Sequence, residues 1–252
     1  MAITYRTIST VATVTGSTNT PVSMTLNAPT GATTDDLLVA CISFRGATTP
    51  SIPSTWNIIN RTQVTGNTNT NNAAIGSGLM AWTKVSGTVD YVFGAVAGEQ
   101  FTNLAFGYVV RMDGQDLTDP LAGTSVNTLA NSGNGLITTA GYDFSYIPDP
   151  DQSFTNKYIH ILLCIGGQEV TWSLQDVLVG PIINNLTEIG ESTSTSGSDG
   201  SIAVARGNEL TTGPVIEFSA TTSAINARHS LIAATFGSPR PLATGYSFSS
   251  FF

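Results

Sequence analysis

Charged side chains are scarce in this 252-residue chain, where Lys, Arg, Asp and Glu together make up 10% of the residues, against about 25% in an average soluble domain. Lys84 and Lys157 are the only lysines, and 9 basic residues against 17 acidic ones leave a formal net charge of −8. The chain has no basic run that could neutralise phosphates or dock on an anionic membrane surface. We therefore expect neither a nucleic-acid nor a membrane partner.

Long apolar runs are also missing. The opening stretch MAITYRTIST has no apolar segment after a basic one, so we expect no secretory signal. No segment reaches the ~18 uninterrupted apolar residues typical of a membrane-spanning helix. The only cysteines, Cys41 and Cys164, lie in apolar runs and are expected to be buried free thiols. A disulfide would require their strands to face each other closely, and synthesis in a cytoplasm fits this cysteine usage.

The sequence contains none of the short motifs that mark common active sites: no P-loop, no G-x-S-x-G, no H-E-x-x-H and no paired C-x-x-C. His160 and His229 are the only histidines, so one chain cannot build a multi-histidine metal site. His160 shares a strand face with Tyr158, Leu162 and Cys164, which favours a hydrogen-bonded structural role. We therefore expect no enzyme, no catalytic residue, no cofactor and no metal ligand.

One acidic cluster keeps an alternative open. The stretch DGQDLTDPL places Asp113, Asp116 and Asp119 at a spacing of three. Three carboxylates and a glycine are the kind of oxygen ligands that bind Ca²⁺, although the spacing does not match an EF-hand loop. The simpler interpretation is a turn whose Asp side chains cap backbone N–H groups.

Uncharged polar residues replace the missing charges, and they favour β-structure. Thr is β-branched, while Gly and Asn accept turn conformations. Ten or more short strand-like runs recur between turn-rich segments. In GLMAWTKVSG, for example, Leu79, Ala81 and Thr83 would point to one face of a strand and the residues between them to the other. DDLLVACISFRG is nearly continuous in apolar residues and predicts a central strand covered on both faces. The pattern predicts an all-β, antiparallel β-sandwich, jelly-roll-like and with long loops.

Three segments interrupt this pattern. The stretch DVLVGPIINNL is the one candidate helix, and Pro181 breaks it. Residues 124–154 are expected to form one long surface excursion, and GESTSTSGSDGS is expected to be a flexible loop at a tip. We expect a single sandwich domain over residues 1–238 and a C-terminal aromatic tail over residues 239–252.

Four stretches, in order, resemble a known group of proteins: GATTDDLLVACISFRG, SIPSTWNIINR, GLMAWTKVSGTVDYVFG and LAFGYVVRMDGQDLTDPL. Together, over roughly residues 30–125, they resemble a jelly-roll-like β-sandwich domain of tailed-bacteriophage virion proteins. The resemblance implies a structural virion protein, most simply a capsid decoration (cement) protein on the capsid surface. Its implied partners are the major capsid protein and copies of itself, as a homotrimer. The resemblance implies no catalytic residues.

The alternative is a tail-associated receptor-binding or carbohydrate-binding module. Such modules stack aromatic faces on sugar rings, and Trp56, Trp82 and Trp172 are the candidate residues. Core packing is the other expected fate of tryptophans in alternating strands.

The chain closes on GYSFSSFF, an unusual concentration of aromatic residues. Left in water, these side chains would form a sticky apolar patch. We therefore predict that this segment makes an assembly contact with a neighbouring subunit or the shell, through Tyr246, Phe248, Phe251 and Phe252.

Overall fold

The computed structural model describes residues 3–17, 19–46, 48–63, 76–114, 120–129, 136–138, 142–143, 158–166, 172–177, 183–194, 200–209, 215–222 and 229–237. These residues contain 17 strands, numbered β1 to β17 in chain order. Every pairing among the strands is antiparallel. The described part of the chain contains no helix that could cross a membrane.

The first half of the chain forms a six-stranded sheet in the order β1-β8-β4-β6-β5, with β2 also paired to β8. Its strands are β1 (Thr4–Ile8), β2 (Ala12–Thr15), β4 (Leu37–Arg45), β5 (Asn57–Gln63), β6 (Gly76–Lys84) and β8 (Leu104–Asp113). A short pair, β3 (Met24–Thr25) and β7 (Val92–Phe93), lies apart from this sheet.

The second half forms a five-stranded sheet in the order β14-β15-β12-β17-β9, and a smaller four-stranded sheet. The five strands are β9 (Leu121–Leu129), β12 (Tyr158–Gly166), β14 (Ile183–Ser194), β15 (Gly200–Glu209) and β17 (His229–Gly237). The four strands are β10 (Leu136–Thr138), β11 (Tyr142–Asp143), β13 (Trp172–Val177) and β16 (Val215–Thr222).

The two larger sheets pack face to face, with β12, β15 and β17 contacting β4, β5, β6 and β8. The expected all-β antiparallel sandwich is therefore confirmed, while its finer jelly-roll-like label stays a prediction. The buried side chains between the sheets alternate along each strand, as a pleated strand requires. This inner core includes Val39, Cys41, Met80, Tyr108, Val110, Ile161, Leu163, Ile165, Val204, Ile232 and Phe236.

The outward face of the six-stranded sheet is also buried. Leu38, Ala40 and Ile42 of β4 belong to a second apolar cluster, together with Trp56 and Phe93 from the covering segments. The prediction that DDLLVACISFRG is a strand covered on both faces is therefore confirmed. β4 is central to its sheet, with β8 on one side and β6 on the other.

Strand β1 shows how a bulge can override simple alternation. The sequence pattern places Ile3 and Tyr5 on one face and Ile8 on the other, but all three pack on the inner core. The register against β8 shifts between Tyr5 and Thr7. Because a bulge inserts one extra residue, the side chains after it change face.

Polar contacts also join the two sheets. Ser43 Oγ donates a hydrogen bond to the Ser201 carbonyl at 2.8 Å, and Tyr108 Oη donates one to the Glu191 carbonyl at 2.8 Å. The Arg206 guanidinium of β15 lies 4.4 Å from the centre of the Tyr5 ring of β1. The two hydrogen bonds satisfy polar groups inside the sandwich, and all three contacts join strands of the two sheets.

The expected helix around DVLVGPIINNL is wrong in its described parts. Residues 172–177 form β13, paired with β16, and Ile183 and Asn184 already pair with β15. The neighbouring strands β16 and β15 form hydrogen bonds with the backbone of these residues. This pairing outweighs the weak local preference for a helix.

The two expected loops are also partly strand. Residues 124–129 belong to β9, which pairs with β17 along its length. In the second expected loop, Thr193 and Ser194 of β14 pair with Ser201 and Gly200 of β15, and residues 195–199 lie outside the described residues. Both segments are rich in Ser, Thr and Gly, so their sequences lack the apolar alternation that marks a strand, although Thr suits a pleated surface.

Candidate functional site

The DDL motif before β4 is the most buried charged site among the described residues. Asp36 accepts hydrogen bonds from the Thr33 backbone N–H at 2.6 Å and the Thr33 hydroxyl at 3.0 Å. Arg111 Nε lies 2.9 Å from Asp36 Oδ2, and Arg111 Nη1 donates to the Thr30 carbonyl at 3.0 Å. The Thr33 contacts close a turn and the Arg111 contact ties that turn to β8, so the arrangement is that of a structural brace rather than of a reactive acid.

The neighbouring aspartate holds the other side of the same turn. Asp35 has a positive φ of 73°, a conformation that Asp tolerates better than most residues. Its carboxylate lies 3.0 Å from Lys84 Nζ, and its backbone N–H donates to the Val85 carbonyl at 2.9 Å. The two aspartates therefore tie the start of β4 to β8 and to the end of β6.

The acidic cluster predicted as a turn or a calcium site is described only at Asp113. Its Oδ2 lies 2.6 Å from both Arg6 Nε and Arg6 Nη2, so an arginine already neutralises this carboxylate. Asp116 and Asp119 lie outside the described residues. No group of three or more His, Cys, Asp or Glu side chains within the described ranges could hold a metal ion.

His160 is a core residue, as the sequence suggested. It is fully buried, and its Nδ1 lies 2.8 Å from the Thr235 hydroxyl on the adjacent strand β17. Leu162 and Cys164, on the same face, are fully buried too. For His229 the structure describes only the backbone, as the first residue of β17.

Both cysteines are buried free thiols, as predicted. Cys41 belongs to the inner core between the sheets, whereas Cys164 alternates with Leu163 and Ile165 of that core and so faces away from it. Burial raises the pKa of both thiols, and the Glu188 and Glu191 carboxylates raise the pKa of Cys164 further. The thiols are therefore protonated and chemically inert at neutral pH.

A small acidic group occupies the outer edge of the five-stranded sheet. Burial, and secondarily the Glu191 carboxylate, raises the pKa of Glu188. Burial is also the main cause of the raised pKa of Tyr108, whose hydroxyl bonds to the Glu191 backbone. Glu188 and Glu191 therefore lie near each other on β14. The Tyr108 hydroxyl beside them donates its hydrogen bond to the Glu191 backbone carbonyl and so joins the two sheets.

Trp56, the first candidate for a sugar platform, is not available for stacking. Its side chain is only 3% exposed, and its Nε1 donates to the Asp90 carbonyl at 2.7 Å. Its ring packs edge-on against Tyr91 and Phe93. Trp82 is half-buried against the inner core, and the side chain of Trp172 lies outside the described part of the chain.

A partly enclosed cavity of about 200 Å³ opens beside the edge strand β5. Phe44, Pro50 and Leu79 give it apolar walls, and the exposed Arg61 stands at its rim. The remaining lining residues are Thr49, Thr62, Ser77 and Gly78. No pattern in the sequence indicates this cavity, because its walls come from β4, β5, β6 and the segment that follows β4.

The predicted contact residues of the tail, Tyr246, Phe248, Phe251 and Phe252, lie outside the described residues, so their role stays a prediction. Comparison of the chain with protein-family models, with curated proteins and with solved structures gave no match.

Proposed function

We propose that this chain is a structural virion protein of a tailed phage, a capsid decoration protein that binds the assembled shell and stabilises it. The support comes from the four stretches that carry the resemblance. Their polar residues Asp36, Trp56 and Lys84 all bond within one sheet and its turns. The motifs that carry the resemblance therefore stabilise the fold. The proposed role depends on this fold and its surface rather than on reactive side chains.

The mechanism is mass action. A protein that binds only the assembled shell stabilises it by RT ln(1 + [L]/Kd), about 2.7 kcal/mol per site at a hundredfold excess over Kd. The proposed partners are the major capsid protein and further copies of this chain, as a homotrimer at local threefold positions. A chain in which only 10% of the residues are charged suits close protein contacts, because few charges must be desolvated.

The second candidate, a carbohydrate-binding module on a tail, loses its first aromatic platform through the burial of Trp56. No other observation among the described residues favours it. A glycan array with the purified protein tests it directly, and saturable binding would move the proposal from the shell to a receptor.

The decoration proposal is tested with undecorated heads of the phage that encodes the chain. Purified protein is added in excess, and disruption of the heads on heating is followed by light scattering and by release of DNA to nuclease. We expect heads to survive to a higher temperature, with saturation at a fixed ratio of chains to capsid protein. Unchanged disruption at saturating protein would contradict the proposal.

The tail supplies a matched variant. Phe251→Ala/Phe252→Ala removes two rings from a segment predicted to make the assembly contact, and we expect an unchanged circular dichroism spectrum and unfolding midpoint. The variant should protect heads only weakly. A variant that unfolds would place these rings in the core of the domain instead.

A further inference from the structure

We propose that the cavity beside β5 is the receptor for the aromatic tail of a neighbouring copy, with one tail phenylalanine ring inserted between Phe44, Pro50 and Leu79. This inference rests on the proposed assembly role and names the surface that would perform it. The occupant is the segment over residues 245–252 of a second chain.

The size of the cavity fits one aromatic ring. A buried apolar cavity of about 150 Å³ accommodates a benzene molecule, and this cavity measures about 200 Å³. Phe44 already packs edge-on against Phe101, with ring centres 5.8 Å apart and planes at 77°. An inserted ring would extend this aromatic pair, a geometry that aromatic side chains prefer.

Arg61 and Ile58 supply the surroundings for a second ring. Arg61 pairs with Leu79 and Ile58 pairs with Ala81, and both partners belong to the outer apolar cluster. A register shift between Ile58 and Asn60 puts these two residues, three apart in sequence, on the same face of the strand.

Ile58 is one of two large apolar side chains exposed among the described residues, with 45% of its surface accessible. The exposed Arg61 guanidinium at the rim offers a cation to an aromatic face. Phe251 and Phe252 are adjacent in the tail. One of their rings would enter the cavity, and the other would lie on the strand surface formed by Ile58 and Arg61.

The first test uses a fluorescently labelled, amidated peptide GYSFSSFF and the full chain carrying Phe251→Ala/Phe252→Ala, so that its own tail does not compete. We expect saturable binding by fluorescence anisotropy. The control peptide GYSASSAA, which lacks the three phenylalanine rings, should not bind. Equal binding of both peptides, or of neither, would overturn the proposal.

Cavity variants locate the binding. Thr49→Trp places a bulky ring at the exposed rim and should weaken peptide binding by about tenfold or more, the loss expected for one buried ring. Thr13→Trp, at an exposed threonine of β2 on the opposite edge of the sheet, is the matched control and should bind normally. Ile58→Ser and Arg61→Ala should each weaken binding by about threefold. Peptide binding unchanged by Thr49→Trp would overturn the proposal.

Sedimentation of the full-length variants decides between a neighbouring copy and the same chain. The wild type should associate with rising concentration, whereas Thr49→Trp and Phe251→Ala/Phe252→Ala should each sediment as monomers. A mixture of the two variants should regain association, since one keeps its tail and the other keeps its cavity. Association of neither the wild type nor the mixture would overturn insertion into a second copy.

The outcomes separate this inference from the decoration role. Heads that are stabilised equally by wild type and Thr49→Trp would retain decoration and remove the cavity contact. Specific peptide binding without any gain in head stability would retain the cavity contact and remove decoration.

Discussion

Arg111 of β8 and Asp36, the residue that precedes β4, form an ion pair, with Arg111 Nε 2.9 Å from Asp36 Oδ2 and the Asp36 side chain 4% exposed. The two residues are 75 positions apart in sequence. The pair joins a turn at the entrance of the central strand to the strand beside it. Loss of this pair should therefore lower the free energy of unfolding of the domain.

Asp36→Asn should destabilise the fold by about 3 kcal/mol, because it leaves the Arg111 cation partly buried without its carboxylate. Urea unfolding at pH 7 measures the change. Asp35→Asn is the control: its side chain is 58% exposed, Asn tolerates the positive φ, and a surface pair contributes under about 1 kcal/mol. Equal decreases in the free energy of unfolding of the two variants would show that the buried ion pair contributes no more than the exposed one.

Gly78→Ala should destabilise the sandwich by about 1–3 kcal/mol through overpacking. A Cβ at Gly78 would lie 2.0 Å from Ile165 Cδ1 on the facing sheet. Ile165→Val removes that methyl group, so the double variant should lose less stability than the sum of the single variants. Additive losses in thermal unfolding would contradict close contact between the two sheets at this point.

Trp56→Ala should destabilise the domain by about 3–5 kcal/mol, since it removes a buried ring packed on Tyr91 and Phe93. Trp56→Phe keeps one ring in place but loses the volume of the second ring and the hydrogen bond to the Asp90 carbonyl, so it should cost less, about 1–3 kcal/mol. Guanidinium unfolding followed by circular dichroism measures both. A fully stable Trp56→Ala variant would return this residue to the surface and to the sugar-binding hypothesis.

The buried thiols make the fold sensitive to alkali. Burial raises the pKa of Cys41 and Cys164 above the ordinary value of 9.0, so the unfolded chain releases thiol protons at a pH where the folded chain keeps them. Stability is therefore complete below the ordinary pKa and falls as the pH rises above it. The fall approaches about 1.4 kcal/mol per pH unit for each thiol.

Urea unfolding between pH 7.5 and roughly 10.5 measures this slope. Cys41→Ala/Cys164→Ala should flatten it, and the native wild type should leave Ellman's reagent unreacted until the chain is unfolded. An identical slope in the double variant would assign the alkaline loss to other groups, such as Tyr5 and Tyr108, whose pKa values burial also raises.

Much of the strand content follows from the sequence alone. Leu38, Ala40 and Ile42 alternate with Val39 and Cys41, and all five are apolar, so both faces of β4 had to be covered. The physical reason is local: successive residues of a strand point to opposite faces, and apolar side chains on both faces need two apolar neighbours. The same logic located the two buried thiols.

The tertiary structure alone decided which distant residues meet. No local pattern in the sequence predicts the ion pair of Asp36 with Arg111 or the edge-on contact of Trp56 with Tyr91. Nor does any pattern predict the cavity between Phe44, Pro50 and Leu79. Bulges in β1 and β5 changed which side chains share a face. Strands without apolar alternation, such as β9 and the end of β14, exist because a neighbouring strand satisfies their backbone. Pairing, register and cavities arise from packing between segments far apart in sequence, whereas alternation is a property of each segment by itself.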